Sequence, residues 1–368
     1  MSDTNEAMRR IVDGTSWAEF CDALKSAGST VLDAGSPDTA LDRAEGWRYL
    51  TRLTRCALET FVEAADPQAP EFLRAAHETI KMGMDNPDNI YLTAPVNGSF
   101  TYRIHGTRGS VHYLGFGSQK GNYGATGTLN TTGYLEAKDL AIAADGRFEI
   151  TASATPQPGN WLRMEPDSRT IVVRQTRLDH RHEVPAQIAI ERSDGPNQPR
   201  HLDPARLDHA LRSATRFVAG CSKVFAGWAD DWRKHTNELP RFDPAKALAA
   251  GGDPNIAYFH SYWELARDEA LVIEATPPPC DYWNFQLANH WLESLDYRYF
   301  PVHVNKHTAK IRADGSVRVV VAHEDPGVAN WLDTCGHEHG TMCWRWIRAS
   351  EHPVPQTRVV KLAELSNG

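Results

Sequence analysis

Cysteine is scarce and unpatterned in this 368-residue chain: six cysteines occur, and none form a C-x-x-C pair. A chain of this length can bury a sizeable core without disulfides, so we expect reduced, mostly buried thiols. No apolar run approaches the ~20 residues that a membrane helix needs. The first residues have neither a basic nor an apolar signal-peptide region, so we expect no signal peptide and a cytoplasmic location.

A basic excess is also missing, because the net charge is -8 at pH 7. Nucleic acid is therefore not an expected partner. No G-x-S-x-G motif occurs, which argues against an α/β-hydrolase nucleophile elbow. No G-x-G-x-x-G opens a helix after a strand, which argues against a dinucleotide fold. The run 115–133 is rich in Gly, Ser, Thr and Asn and is predicted to be a loop that can lie over a site.

Helix signals occupy residues 1–85, which we predict to be an N-terminal helical layer. Ser16 has the pattern of a helix start, and Ser36 with the following proline begins a longer helix. Pro70 is predicted to open a third helix that ends near Gly83. We expect this layer to pack on a sheet.

A long helix is predicted within residues 201–250, where it bridges two halves of the chain. Asp203 caps it and Pro204 lies in its first turn. Apolar residues then step by three and four from Leu207 to Trp232, which indicates one continuous apolar face. We expect that face to pack on a sheet or on the N-terminal helices, with a partner chain as the alternative.

The two halves carry the same features in the same order. The matches are Asn89-Ile90 with Asn255-Ile256, Asp145-Gly146 with Asp314-Gly315, Asn160-Trp161-Leu162 with Asn330-Trp331-Leu332, and Thr170–Arg174 with Thr341–Arg345. The offset drifts only from 166 to 171 residues. We interpret this as an internal duplication that produces two β units, at 86–200 and 251–368. The paired Asn residues are expected to bond loop backbone, and the Asp-Gly pairs to make hairpin turns.

Histidine and tryptophan concentrate in the second unit. Seven of the 16 His and six of the 11 Trp lie between Gly252 and Ile347. On one predicted strand Tyr258, His260 and Tyr262 share a face, and on the next Asn284 and Gln286 share a face. This pattern favours an aromatic-lined pocket with polar groups in it. The predicted catalytic residues are His260, His290 and Tyr262, and the predicted substrate-binding residues are Tyr258, Trp263, Trp283, Asn284, Gln286, Trp291, His303, Asn305 and Arg345.

Motifs in the last third of the chain resemble one bacterial family. They are Tyr282–Asn289, Asp314–Val319 and Asn330–Asp333, followed by Arg345 on a strand. This series is similar to the domain of unknown function 1214 family, which has Phe-Trp-Ser-Leu-Thr-Met-Tyr-Asp, Asp-Gly-Ser and Asn-Trp-Leu-Pro in that order. Where the family has Ser, Thr, Tyr and Asp in the first motif, this chain has Asn284, Gln286, Ala288 and Asn289. The resemblance implies a jelly-roll-like β sandwich and leaves the chemistry open.

The predicted fold is therefore α+β, with two jelly-roll-like β-sandwich units from a duplication, an N-terminal helical layer and a long bridging helix. The favoured function is a cofactor-independent acid/base enzyme of lyase type, acting on a small aromatic or hydrophobic metabolite, in which His260 or His290 moves a proton. One alternative is a non-catalytic protein that binds a carbohydrate or an aromatic ligand.

Another alternative is a metal-dependent, cupin-like enzyme that uses a His-x-His pair. Its candidate ligands are His180, His182, His303, His307, His337 and His339. No carboxylate follows His339 at the cupin spacing, so we predict neither a metal nor another cofactor. The expected partner is a small-molecule substrate, and a homodimer is left open.

Overall fold

The computed structural model describes residues 3–124 and 126–365. Its helices are α1 (Asp3–Val12), α2 (Thr15–Ala27), α3 (Ser29–Leu32), α4 (Ala40–Leu58), α5 (Pro204–Arg233) and α6 (Pro244–Ala249), with a π-helical turn at Glu59–Glu63 and 3-10 turns at Ala137–Asp139 and Leu362–Glu364. No helix in these two ranges is long and apolar enough to cross a membrane.

The N-terminal helices differ in detail from the prediction. Ser16 lies inside α2, where its hydroxyl donates to Asp208 Oδ1 at 2.6 Å instead of capping the helix. Helix α4 begins after Thr39, whose Oγ1 accepts a hydrogen bond from the Asp42 amide. The predicted third helix at Pro70 is wrong, because the described residues 64–88 contain no helix. That segment instead pairs its backbone with a strand, through Leu73 N and Thr93 O at 2.8 Å.

The bridging helix forms as predicted. The Asp203 side chain accepts from the Arg206 amide at 3.0 Å, and Pro204 occupies the first turn of α5. The apolar face of α5 packs against α1, α2 and α4, and the helix also contacts a strand of the second unit. Both expected packing surfaces are therefore used.

The strands form two units of paired four-stranded sheets. The first unit contains β1 (Asn89–Pro95), β2 (Tyr102–Thr107), β3 (Tyr113–Lys120), β4 (Asn130–Glu136), β5 (Arg147–Ser153), β6 (Trp161–Arg163), β7 (Thr170–Thr176) and β8 (Gln187–Arg192). The second contains β9 (Ile256–Glu264), β10 (Glu269–Ala275), β11 (Tyr282–Ala288), β12 (His303–Asn305), β13 (Val317–Ala322), β14 (Trp331–Asp333), β15 (His339–Ile347) and β16 (Gln356–Lys361).

The two units have the same topology. The first has sheet orders β1-β7-β3-β4 and β6-β5-β2-β8, and the second has β9-β15-β11-β12 and β14-β13-β10-β16. Each strand of the first unit thus corresponds to the strand eight places later, and the parallel pair β5–β6 recurs as β13–β14. The predicted α+β fold with a duplication is confirmed.

The duplicated asparagines make the same contacts in both units. Asn160 Nδ2 donates to the carbonyls of Ala141 and Glu149, and its Oδ1 accepts from the Ala141 amide. Asn330 repeats this pattern with the backbone of Lys310 and Arg318. Each amide side chain thus fixes the loop that precedes a strand, which explains why the motif occurs in both halves.

The sheet β9-β15-β11-β12 is covered on both faces. One face lies in the core of the second unit, with Phe259, Phe285 and Trp344. The other contributes Ala288 and Cys343 to a core shared with the helices. Every residue of β11 is buried as a result. Polar side chains on that face therefore need partners inside the protein, because water does not reach them.

Candidate functional site

A cavity of about 760 Å³ lies where α5 meets both β units. Strands β1 and β7 of the first unit and β9 and β15 of the second supply its walls. Its aromatic lining consists of Tyr91, Tyr123, Phe225, Trp228, Trp232, Phe242 and Tyr258. The volume is in the range typical of small-molecule sites, and the rings offer flat apolar surfaces to a ligand.

Two arginines related by the duplication line this cavity, Arg174 on β7 and Arg345 on β15. Arg174 Nη2 donates to the Gly251 carbonyl at 2.5 Å. Neither guanidinium forms an ion pair within the described part of the chain. Burial lowers the pKa of Arg174, but the charge of Asp253 is the largest of several effects that together raise it above its usual value. Arg345 is 3% exposed, and the carboxylate nearby, Asp85, bonds to Ser294 and forms no salt bridge with the guanidinium. A charge so buried without an ion-pair partner favours an anionic ligand.

The position of Arg345 is fixed by buried amides. Its Nη1 donates to Gln286 Oε1 at 2.5 Å and to Asn284 Oδ1 at 3.4 Å, and its Nη2 donates to the Met84 carbonyl at 2.7 Å. Gln286 Nε2 in turn donates to the Asp85 carbonyl at 2.8 Å. Asn284 and Gln286 thus hold the guanidinium in place but do not themselves line the cavity.

His260 lines the cavity between two parallel rings. The Trp232 ring stacks on it at 4.4 Å and 2°, and the Tyr258 ring stacks at 5.3 Å and 11°. Burial, and then the charge of Arg345, hold the pKa of His260 well below its usual value, so the imidazole is neutral. Neither ring nitrogen bonds to another described residue, and Nδ1 is the buried one. A ligand would therefore meet Nε2.

The other two predicted catalytic residues lie in a separate cluster outside the cavity. The His290 Nδ1 accepts hydrogen bonds from the Tyr262 hydroxyl at 3.2 Å and from Arg233 Nη2 at 3.3 Å. Burial and then Arg233 lower the pKa of His290 to about 3, and burial raises the pKa of Tyr262 to about 12. Asp42 pairs with His339 beside them at 3.2 Å. The cluster is packed against α4 and α5, and the structure does not join it to His260.

The three predicted tryptophans do not line the cavity. Trp263 and Trp283 point to the opposite side of their sheet, into the core of the second unit, because they alternate with the polar positions. Trp291 packs among the helices, and its Nε1 donates to the Asp42 carbonyl at 2.9 Å. The expectation that these rings surround a shared hollow is corrected: their rings fill two cores, and the cavity takes its rings mainly from α5, β1 and β9.

His303 and Asn305 also lie away from the cavity. Asn305 Oδ1 accepts from the amides of His307 and Thr308, both at 2.9 Å, and so holds the turn after β12. His303 Nε2 lies 3.2 Å from Asp88 Oδ1. The carboxylates of α4 pair with the second His-x-His motif, His337 with Glu45 at 2.8 Å and His339 with Asp42.

One group in the described ranges has the ligand types and spacing for a metal ion. Asp88, His180 and His303 place one donor atom each within 4.8 Å of one another. His180 belongs to a His-x-His pair with His182, whereas His303 lies far away in the sequence and Asp88 is not among the predicted site residues. These ligands come from three distant segments, so no local motif could have joined them.

Arg174 and Tyr91 were not predicted as site residues, but they line the cavity together with Arg345 and Tyr258. The sequence did contain a signal for them, because the duplication aligns Arg174 with Arg345 and Tyr91 with Tyr258. Features present in both units are expected to be structural, as the paired Asn residues are, so the shared position of Arg174 and Arg345 does not by itself indicate a binding role. Trp228 and Trp232 were seen only as part of the apolar face of α5.

These features belong to a family. The sequence profile of the family described as "Protein of unknown function (DUF1214)" matches residues 265–351. A crystal structure of an uncharacterized protein from Burkholderia cenocepacia is 54% identical, covers 97% of this chain and 100% of its own, and has a TM-score of 0.95. The chain belongs to the DUF1214 family, as its motifs indicated.

A more distant likeness extends to the fold alone. The VPA0106 protein from Vibrio parahaemolyticus is 12% identical, covers 86% of this chain and 98% of its own, and has a TM-score of 0.50. No curated protein matches the sequence.

Proposed function

We propose that the cavity is the active site of a cofactor-independent acid/base enzyme of lyase type. Its substrate would be a small molecule with an aromatic or hydrophobic body and an anionic group. The observation that supports this most is the presence of a neutral imidazole, His260, and an ion-pair-free guanidinium, Arg345, in one aromatic-lined cavity. The imidazole can accept a proton from the substrate, and the guanidinium can bind its anionic group.

Recognition would divide between the rings and the arginines. An anion that reaches Arg345 gains a charge-assisted hydrogen bond in a site with little water, where such bonds are strong. The guanidinium is already held by Gln286 and the Met84 carbonyl, so binding orders few side chains. Arg174, which lines the same cavity, offers a second cation to the substrate.

Ligand binding would also prepare the base. The charge of Arg345 is one cause of the low pKa of His260, so an anion bound there raises that pKa towards the working range of a general base. His260 Nε2 then removes a proton from the carbon beside the anionic group. The C–H electron pair forms a double bond to the next carbon, and the leaving group departs with its own bonding pair. The imidazolium returns its proton to that group, which restores the neutral ring.

The test begins with the small acids that are released when purified protein is denatured, identified by mass spectrometry, together with a panel of aromatic carboxylates. His260→Gln should lower kcat by about 10² to 10⁴-fold and leave Kd nearly unchanged. His209→Gln, at an exposed position of α5, is the control and should retain full activity. Undiminished turnover in His260→Gln would overturn the assignment.

A non-catalytic binding protein is the second candidate, and one observation favours it. Catalytic histidines are usually oriented by a hydrogen bond to the second ring nitrogen, whereas Nδ1 of His260 has no partner. Under this function, carboxylates bind with loss of affinity in Arg345→Gln, and no bound compound is converted by the wild type. The cytoplasmic location and the homodimer both stay predictions.

A further inference from the structure

We propose that Asp88, His180 and His303 form a binding site for a divalent transition-metal ion at the junction of the two β units. Asp88 precedes β1, His180 follows β7, and His303 begins β12. None of the three lines the cavity, so the site is independent of the proposed acid/base chemistry.

The donor atoms converge on one point. Asp88 Oδ1 lies 2.7 Å from His180 Nε2 and 3.2 Å from His303 Nε2. An ion bound to nitrogen and oxygen at about 2.0–2.2 Å needs ligand atoms roughly 3.0–3.5 Å apart. The shorter of these two distances lies a few tenths of an ångström below that range and the longer lies within it, while the two histidine nitrogens lie within 4.8 Å of each other, so side-chain shifts would admit the ion.

The surroundings also suit a metal site. The Tyr282 hydroxyl donates to the other carboxylate oxygen, Asp88 Oδ2, at 2.5 Å and fixes the orientation of the ligand. The Asp88 side chain is fully buried, and that of His180 is 33% exposed, which leaves an entry path and room for water as a further ligand.

The ligand set selects the class of ion. Two imidazoles and one carboxylate suit Zn²⁺, Co²⁺, Ni²⁺ or Fe²⁺, whereas Mg²⁺ and Ca²⁺ prefer oxygen alone. Bound metal would fasten the segment that starts β1 to the second unit. The same segment holds the cavity wall, because Asn86 Oδ1 accepts from Asn284 Nδ2 at 2.9 Å and the Met84 carbonyl accepts from Arg345. Metal binding should therefore raise the thermal stability of the whole chain.

The test is a titration of full-length, chelator-treated protein with Co²⁺. Binding is monitored by the visible d–d absorption of the ion, and the metal-to-protein ratio is measured after dialysis. Wild type should bind one equivalent and unfold at a higher temperature with the ion than without it. His180→Ala and His303→Ala should each lose more than about tenfold in Co²⁺ affinity.

His182→Ala is the matched control. His182 is an exposed neighbour that pairs with Asp179 at 2.6 Å, so its loss leaves the proposed ligands intact and affinity unchanged. Circular dichroism of each apo variant checks folding, and the wild-type titration requires no variant. Absence of a bound equivalent in wild type would overturn the proposal. So would loss of binding in His182→Ala with retention in His180→Ala, which would place the ion on Asp179.

Discussion

Acidification should destabilise this protein measurably through one buried histidine. His290 is 1% exposed, and burial followed by the charge of Arg233 lowers its pKa from 6.5 to about 3. The imidazole is therefore protonated near pH 6.5 in the unfolded chain but only near pH 3 in the folded protein. The stability associated with the neutral ring is fully present above pH 6.5 and is lost progressively as the pH falls from 6.5 to about 3.

The size of this effect follows from the two pKa values. At pH 5.5 the unfolded state gains RT ln(1 + 10), which is about 1.4 kcal/mol, while the folded state gains almost nothing. The perturbation is His290→Asn, whose amide oxygen can replace Nδ1 as the acceptor for Tyr262 and Arg233.

The assay is urea unfolding at pH 7.5 and 5.5. Between these pH values wild type should lose about 1.4 kcal/mol more than His290→Asn, because the other titrating groups are common to both. His209→Asn, at an exposed site, should behave as wild type. Equal pH-dependent losses in wild type and His290→Asn would refute the claim that His290 is held neutral.

Four further variants test the packing and the loop hydrogen bonds. Trp283→Ala should cost about 3–5 kcal/mol by urea unfolding while leaving ligand Kd unchanged, because the ring is buried against Trp344 in the core and not in the cavity; a large rise in Kd would contradict this. Gly220→Ala should destabilise the protein and weaken ligand binding, since its Cβ would lie 2.4 Å from Gly124 Cα in the loop that carries Tyr123. Gly227→Ala is the control on the same helix; its Cβ would meet open space, so it should stabilise the protein by about 0.5–1 kcal/mol. A Gly220→Ala protein more stable than Gly227→Ala would contradict this. Asn330→Ala should cost about 2–3 kcal/mol in thermal or urea unfolding, because three backbone hydrogen bonds are lost and φ is +56°; a loss below half of that would show that the loop does not depend on the amide.

Much of the fold could be predicted because its signals are local or repeated. The Asp203 cap and the apolar stripe of α5 can both be recognised from residues that are close together in the sequence. The duplication was visible because Asn160 and Asn330 each perform the same task in their own unit. The failure at Pro70 has the opposite cause, since that segment takes its conformation from pairing with Thr93, a partner that helix propensity cannot register.

The candidate site was predictable in part for the same reason. Alternation along a strand correctly placed Tyr258 and His260 on one face, and both line the cavity. Alternation could not tell which face of a doubly covered sheet meets a cavity, so Trp283 and His290 were grouped with residues they do not join. The proposed metal ligands, Asp88 among them, come together only when the two units pack against each other. A pattern within one unit cannot predict that contact.

The central claim is that the cavity between the two units is the ligand site. A crystal structure of the wild-type protein with its co-purified acid, or with an aromatic carboxylate that binds, tests this most directly. We expect density in the cavity, with the anionic group within hydrogen-bond distance of Arg345 or Arg174 and a carbon close to His260 Nε2. An empty cavity, with the same compound bound beside Tyr262 and His290, would contradict the account.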